Sequence, residues 1–199
     1  MTATIRNITL QLTVCFILFF SGYNSAQTIS VPIDIQVKLL PKILSLEKNI
    51  NSEITNQEIK IGVIYDSKIR NSLKVKEDIF RESEKEKLIL KNTRIKFVEI
   101  NLSQINSLKD SLQVLQLDAV LIAPLRGYDI SGIAGVCKQL KIISFTSVPG
   151  FIDQGISGSF DLVDNKLKIW INLASAKAEG ANFSSHLLKI ANVIDKNEI

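Results

Sequence analysis

The stretch SVPGFIDQGISGSF, from Ser147 to Phe160, contains three glycines and one carboxylate, which are common ingredients of phosphate-binding and catalytic loops. A Walker-type phosphate loop requires GxxxxGK[ST]; Gly150 and Gly155 have that spacing, but the Lys-Ser/Thr pair is missing. A dinucleotide-binding fingerprint opens the first strand-to-helix turn, whereas this loop joins two predicted strands. We therefore predict that Gly150 and Gly155 are structural glycines that allow backbone conformations closed to other residues.

The other reactive side chains do not form a recognisable catalytic set. Ser157 lacks the flanking glycines of a GxSxG nucleophile elbow, and Asp153 has no second titratable group near it in sequence. His186 is the only histidine and lies on a predicted helix, where an exposed, non-catalytic imidazole is favoured. Too few histidines and cysteines are present for a typical zinc site. We predict that the protein is not an enzyme and has no catalytic residues, cofactor or metal, although distant residues could converge in the fold.

A second group of candidate residues follows predicted strands. In open parallel sheets, ligands bind beyond the carboxyl ends of the strands, and Arg126 and Tyr128 lie where they could hold an anion. Exposed loop polarity explains the same residues more simply. Phe151 could contact a partner, but inward packing is favoured. The candidate binding residues are Leu125, Arg126, Tyr128, Pro149 and Phe151.

The elements that must position these residues alternate along the chain. Strands are predicted at residues 58–66, 94–101, 118–124 and 141–147, and helices at 33–46, 68–87, 105–116 and 129–140. Pro41 inside the first helix predicts a kink or a late helix start. The alternation predicts an α/β fold with a mostly parallel central sheet and flanking helices. Continuous apolar runs agree with strands that are covered on both faces.

The pattern changes after residue 155. Two runs of strand character, residues 156–163 and 166–172, flank the pair Asp164-Asn165, which predicts a tight antiparallel hairpin. A helix is then predicted from about Ser184 to Ile194. We predict a single domain over residues 31–196.

The first 26 residues have the pattern of a secretory signal peptide. One basic residue, Arg6, precedes an apolar run of about a dozen residues and a small polar stretch that ends at Ala26. The apolar run is too short for a bilayer span, which needs roughly 20 residues. We predict export to the periplasm, cleavage after Ala26 and no membrane span thereafter; an uncleaved N-terminal anchor is the alternative.

Charge and cysteine content limit the choice of partners. The net charge of +4 is mild, and no one-signed basic stripe is present, so nucleic acid is not expected as a partner. The predicted mature chain keeps a single cysteine, Cys137, in an apolar helical stretch. A buried thiol is the favoured interpretation and an intermolecular disulfide the alternative. A homodimer is compatible with the sequence.

The C-terminal half combines Gly150-Phe151, Gly155, a predicted hairpin that ends in Ile171-Asn172, and Ser184-Ser185 followed by Leu187-Leu188. In these motifs it resembles YfiR/HmsC-like periplasmic proteins. Residues 35–50 and 60–66 resemble the first helix and first strand of the family more loosely. Gln154 stands where the family commonly has the first of two glycines. Paired cysteines, which some members have, are absent, and this argues against redox control.

The resemblance implies an exported α/β domain with a regulatory role. In the family's best-known systems, such a protein binds the periplasmic sensor region of an inner-membrane diguanylate cyclase and restrains it, which lowers cyclic di-GMP and biofilm formation. The alternative hypothesis is a periplasmic small-ligand-binding domain. A flat apolar patch would favour the protein partner, and a deep crevice with converging polar groups would favour the ligand.

Overall fold

The computed structural model describes residues 29–53, 58–85, 88–90 and 93–195, and the predicted signal peptide lies outside them. In the described part of the chain, eight strands form one sheet in the order β2-β3-β1-β4-β5-β6-β7-β8. In chain order the strands are β1 (Ile59–Tyr65), β2 (Ile89–Leu90), β3 (Thr93–Asn101), β4 (Ala119–Ile122), β5 (Ile143–Thr146), β6 (Gly158–Val163), β7 (Lys166–Asn172) and β8 (Asn192–Ile194).

Helices connect most of the strands. They are α1 (Ile33–Leu44), α2 (Lys48–Glu53), α3 (Arg70–Lys85), α4 (Leu108–Leu115), α5 (Ile130–Leu140), α6 (Leu173–Ala178) and α7 (Ser185–Ile190), with a 3-10 helix at Pro149–Gln154. Strand pairing is parallel from β3 through β1, β4 and β5 to β6, and antiparallel for β2–β3 and β6–β7. The predicted α/β fold with a mostly parallel sheet and a C-terminal hairpin is confirmed.

The central strands are buried on both faces because helices cover each side of the sheet. Ile61 and Val63 of β1 pack in one apolar cluster with α1 and α3, whereas Ile64 packs in a second cluster with α4 and α5. Alternate residues of a strand point to opposite faces, so a continuous apolar run is what a strand covered on both sides requires. Such burial on both faces makes the sheet a rigid platform for the loops at its edges.

The antiparallel hairpin forms as predicted. Residues 158–163 pair with 166–171 in strict register. Asp164 and Asn165 have φ angles of 52° and 56°, which is the left-handed conformation that a two-residue type I′ turn requires at both positions. Aspartate and asparagine tolerate this conformation better than most residues, which explains why they stand at the turn.

Two of the helix predictions need correction. The first helix begins at Ile33 and continues through Pro41, so the predicted late start is wrong. The last helix ends at Ile190, because Ala191 is extended, with φ −87° and ψ 153°. The following residues then pair in parallel with β7 as strand β8, in which Val193 lies opposite Ile171. Val193 and Ile194 are β-branched and fit this half-buried strand better than a helix.

Candidate functional site

The carboxyl ends of β1 and β4 mark the point where the chain changes direction across the sheet. From β1 the chain leads to β3 on one side, whereas β4 lies on the other side of β1. Ligands of open α/β sheets bind at such switch points. Asp66 follows β1 and Tyr128 lies in the loop after β4. The Tyr128 hydroxyl donates a hydrogen bond of 2.6 Å to Oδ2 of Asp66.

Asp66 is a buried carboxylate that accepts hydrogen bonds from other groups of the protein. Its Oδ1 accepts the backbone N–H of Lys68 at 2.8 Å, and its own N–H donates to Oγ of Ser72 at 3.0 Å. Burial raises the pKa of Asp66, but the hydrogen bonds from Tyr128 and Lys68 outweigh that effect and hold its pKa below the ordinary value. Asp66 is therefore an anion that fixes the loop after β4, and the same bond raises the pKa of Tyr128.

A second polar network ties the ends of β1 and β3. Oδ1 of Asn101 accepts the hydroxyl of Ser103 at 2.8 Å and the N–H of Ser67 at 3.2 Å, and its Nδ2 donates to Oγ of Ser67 at 3.0 Å. The hydroxyls of Ser67 and Ser103 lie 3.0 Å apart. Because these groups satisfy one another, they stabilise the two loops, and a ligand would have to displace some of these bonds.

The structure separates the predicted binding residues into two groups. Arg126 is exposed and Tyr128 is 37% exposed, while Pro149 is half-buried. Leu125 and Phe151 are 0% and 2% exposed and pack in the second apolar cluster. Neither of these two side chains can therefore form a contact surface, which corrects their selection as binding residues. The favoured inward packing of Phe151 is what the structure shows.

The glycine loop is a turn of 3-10 helix over Pro149–Gln154. Gly155 ends it with a φ of +91°, a left-handed conformation that favours glycine, as expected for a structural glycine. Gly150 has no such φ, and a Cβ added to it would have no atom within 4 Å. The conformational role predicted for Gly150 is therefore wrong. A cavity of about 380 Å³ lies beside this helix, bordered by Pro149, Gly150 and Trp170.

A buried carboxylate that the sequence analysis missed lies behind this loop. Glu179 is 1% exposed, and it accepts the N–H of Ser144 at 2.8 Å, the hydroxyl of Ser144 at 2.5 Å and the hydroxyl of Ser157. Burial raises the pKa of Glu179 to about 7 in spite of these bonds. Serine inside an otherwise apolar strand, as at Ser144, is the signal in the sequence that such a buried polar partner exists.

Cys137 is buried, as favoured from the sequence, and burial together with the nearby charge of Glu179 raises the pKa of its thiol. A thiol that is buried and protonated is a poor nucleophile.

Over residues 29–53, 58–85, 88–90 and 93–195, no group of three His, Cys, Asp or Glu side chains could hold a metal ion. In the same part of the chain, no helix has the length and apolarity to cross a bilayer.

Exposed apolar side chains gather on the hairpin. Leu162 and Leu167 lie directly opposite each other on β6 and β7 and are 39% and 41% exposed. Their neighbours Phe160 and Ile169 continue the same face into the core. The hairpin thus extends an apolar surface beyond the body of the domain, which is a feature of protein contact sites.

A family model matches residues 51–192, which is most of the chain. The chain belongs to the YfiR/HmsC-like family. The match covers the whole sheet from β1 to β7, including the polar loops, the 3-10 helix and the hairpin. Membership in this family supports a regulatory role in the periplasm. No curated protein matches the chain.

Solved structures show the same fold at low identity. They include a conserved domain protein from Vibrio cholerae O1 biovar El Tor, with 15% identity, a TM-score of 0.54 and coverage of 81% of this chain and 60% of the other. An ABC domain in complex with L-Trp from Streptococcus pneumonia has 16% identity, a TM-score of 0.56 and coverage of 82% and 62%.

A ligand-free, open substrate-binding protein with adhesive properties from Clostridium difficile has 14% identity, a TM-score of 0.59 and coverage of 84% and 61%. The YfiR/HmsC-like chain spans about three fifths of the length of these proteins. At such identities the similarity concerns the fold alone.

Proposed function

We propose that this YfiR/HmsC-like protein is a periplasmic regulator that binds the sensor region of an inner-membrane diguanylate cyclase and restrains it. Membership in the family is the observation that carries the proposal. The polar groups at the carboxyl edge bond to one another, which agrees with a domain that acts by contact rather than by acid–base chemistry. Less cyclic di-GMP, and less biofilm, would follow from a restrained cyclase.

The hairpin is the surface that fits such a partner. Leu162 and Leu167 offer adjacent apolar side chains on a rigid two-stranded platform, and apolar patches of this kind mark protein contact sites. To act as a restraint, the protein must bind the inactive state of the cyclase more tightly than the active state, because equal affinity shifts no equilibrium.

Direct binding tests this proposal. Isothermal titration would measure the affinity of the processed protein for the periplasmic region of a diguanylate cyclase encoded beside it. Leu162→Lys should weaken binding at least about tenfold, because it puts a charge into a desolvated contact. Ile35→Lys is the matched control, since Ile35 is also 39% exposed but lies on α1. Absence of binding by the wild-type protein would refute the proposal.

A small-ligand-binding domain is the second candidate function. The observation that favours it is the bonded pair of Asp66 and Tyr128 at the switch point of a fold shared with binding proteins. Arg126, Tyr128 and Pro149 remain the proposed contacts of such a ligand, with the buried Asp66 behind them.

L-tryptophan and a panel of other amino acids are suitable probes, because a structure with this fold holds L-Trp. A saturable heat of binding that Asp66→Asn abolishes, while the variant keeps its melting temperature, would support this function. No heat with any probe, together with binding to the cyclase region, would leave the regulator as the sole candidate.

A further inference from the structure

Among the described residues, no strand pairs with the outer edge of β3 over most of its length. On that side β2 pairs only with Thr93 and Arg94, and the sheet ends at β2. The Ile95 N–H donates outward to the carbonyl of Leu88, whereas the Leu102 N–H donates inward to β1. Backbone groups alternate along a strand, so those of Phe97 and Glu99 face outward, where no described strand pairs with them.

Two cavities lie along this same edge. One of about 370 Å³ is bordered by residues 94–97 of the strand, and one of about 570 Å³ by residues 99–101. The larger cavity is also lined by Val114 of α4, which is 81% exposed and is therefore the most exposed large apolar side chain of the described residues. An added strand forms hydrogen bonds with the unpaired backbone groups of a sheet edge, and pockets along the edge hold its side chains. The outer edge of β3 has both features.

The charges along the edge change sign from one end to the other. Arg94 and Lys96 are exposed at its beginning, and Glu99 at its end lines the larger cavity together with Asp110. In an antiparallel copy of the same strand, the basic beginning of one strand would lie beside the acidic end of the other, which is favourable. Glu99 already pairs with Lys76 at 3.4 Å, so Asp110 is the carboxylate that a lysine of the second copy would meet. Among the described residues, Lys96 has a weak, exposed contact of 3.8 Å with Glu58 to give up.

We propose that the outer edge of β3 pairs antiparallel with the same edge of a second copy of this chain, which continues the sheet across a two-fold axis. The occupant is a second copy rather than a foreign strand because the charge pattern is complementary to itself. This inference does not depend on the proposed function, since it concerns a different edge of the molecule from the hairpin.

The available backbone groups select one register. In the antiparallel pair of β3 strands, residues whose backbone groups face outward must lie opposite one another. The two-fold axis therefore passes beside Phe97, Val98 or Glu99. An axis at Phe97 would engage Ile95, whose N–H is already donated to Leu88. An axis at Glu99 would place two carboxylates face to face. An axis at Val98 pairs Phe97 with Glu99 of the second copy and forms about four hydrogen bonds from free groups.

In this register Lys96 lies opposite Ile100 of the second copy. Ile100 borders the larger cavity, where Asp110 also lies, so the ammonium group of Lys96 meets the carboxylate of Asp110 across the axis. The interface is short, and such small contacts are weak and transient. Added salt should weaken the dimer further, because the ion pairs are exposed.

Sedimentation velocity on the processed, exported protein tests the proposal. Over a series from about 1 µM to about 500 µM, which brackets weak association, the wild-type protein should shift from monomer to dimer. Lys96→Glu and Asp110→Lys should each weaken association at least about tenfold. The double variant K96E/D110K should recover it, because the exchanged charges again meet across the axis. Circular dichroism would verify that each variant is folded.

Lys166→Glu makes the same charge change on the distant hairpin and should leave association unchanged. A monomer throughout the series would overturn the proposal and leave the edge to a strand of another protein. Dimerisation that the single variants do not weaken, that Lys166→Glu disrupts, or that the double variant fails to recover would also overturn it, since the interface would then lie elsewhere or in another register.

Discussion

At the scale of single residues, Glu179 couples stability to pH. Burial raises its pKa to about 7 in the folded protein, from an ordinary value of 4.5. Between these values the folded state holds a proton that the unfolded state has lost, so the stabilisation that this group contributes is complete below pH 4.5, falls as pH rises toward 7 and then levels off. The contribution of this group is on the order of 3 kcal/mol.

Glu179→Gln should therefore remove the decline of the unfolding free energy between pH 4.5 and 7. The amide oxygen can still accept from Ser144 and Ser157, so the fold is kept. Urea unfolding at a series of pH values measures the effect. Glu77→Gln, at an exposed position of α3, is the control that should keep the wild-type slope. An unchanged slope in the Glu179 variant would contradict this account.

The two glycines that bracket the 3-10 helix should respond differently to substitution. Gly155→Ala should lower the unfolding free energy by about 1 kcal/mol or more, because an L-residue is strained at its φ of +91°. Gly150→Ala is the matched control. It should be neutral, or stabilising by up to about 1 kcal/mol, since its φ is not positive and nothing lies near the added Cβ. Thermal and urea unfolding measure both, and equal effects would show that the conformation of Gly155 does not matter.

Residue-scale prediction from the sequence succeeded where local chemistry decides and failed where tertiary packing decides. The conformation of Gly155 follows from its place at a turn. The burial of Leu125 does not, because a side chain in a loop can fold back onto a core that the sequence does not display. Glu179 was missed for the same reason, since its serine partners lie 22 and 35 residues away in sequence.

At the scale of elements, the type I′ turn of the hairpin is the most sharply testable feature. Asn165→Val should lower the unfolding free energy by about 1–2 kcal/mol, because a β-branched residue is strained at a φ of +56°. Lys166→Val places the same residue one position later, in an exposed part of β7, and should change stability by less than about 0.5 kcal/mol. Equal losses in both variants would argue against the turn type.

The main strands and helices could be predicted because the period of the apolar residues and the turn chemistry agreed. The C-terminus shows where such prediction fails. Leu187, Leu188, Ala191 and Ile194 have helical spacing, yet only the first part forms a helix, because Val193 and its neighbours gain a parallel strand partner in β7. Such non-local pairing outweighs local propensity, and a single sequence does not reveal it.

At the scale of the whole molecule, the described sheet carries an apolar hairpin toward one end and, toward the other, an edge of β3 that no described strand covers over most of its length. Family membership and the internally bonded polar groups fit action by contact. The central claim is that this contact restrains a diguanylate cyclase from the periplasmic side of the inner membrane.

The cellular level of cyclic di-GMP tests that claim most directly. In a strain that expresses a diguanylate cyclase with a periplasmic sensor region, deleting the gene should raise cyclic di-GMP and surface attachment. Restoring the gene with its N-terminal segment should reverse both, whereas restoring it without residues 1–26 should not, because the protein would then stay on the wrong side of the membrane. Cyclic di-GMP that is unchanged by the deletion would contradict the account.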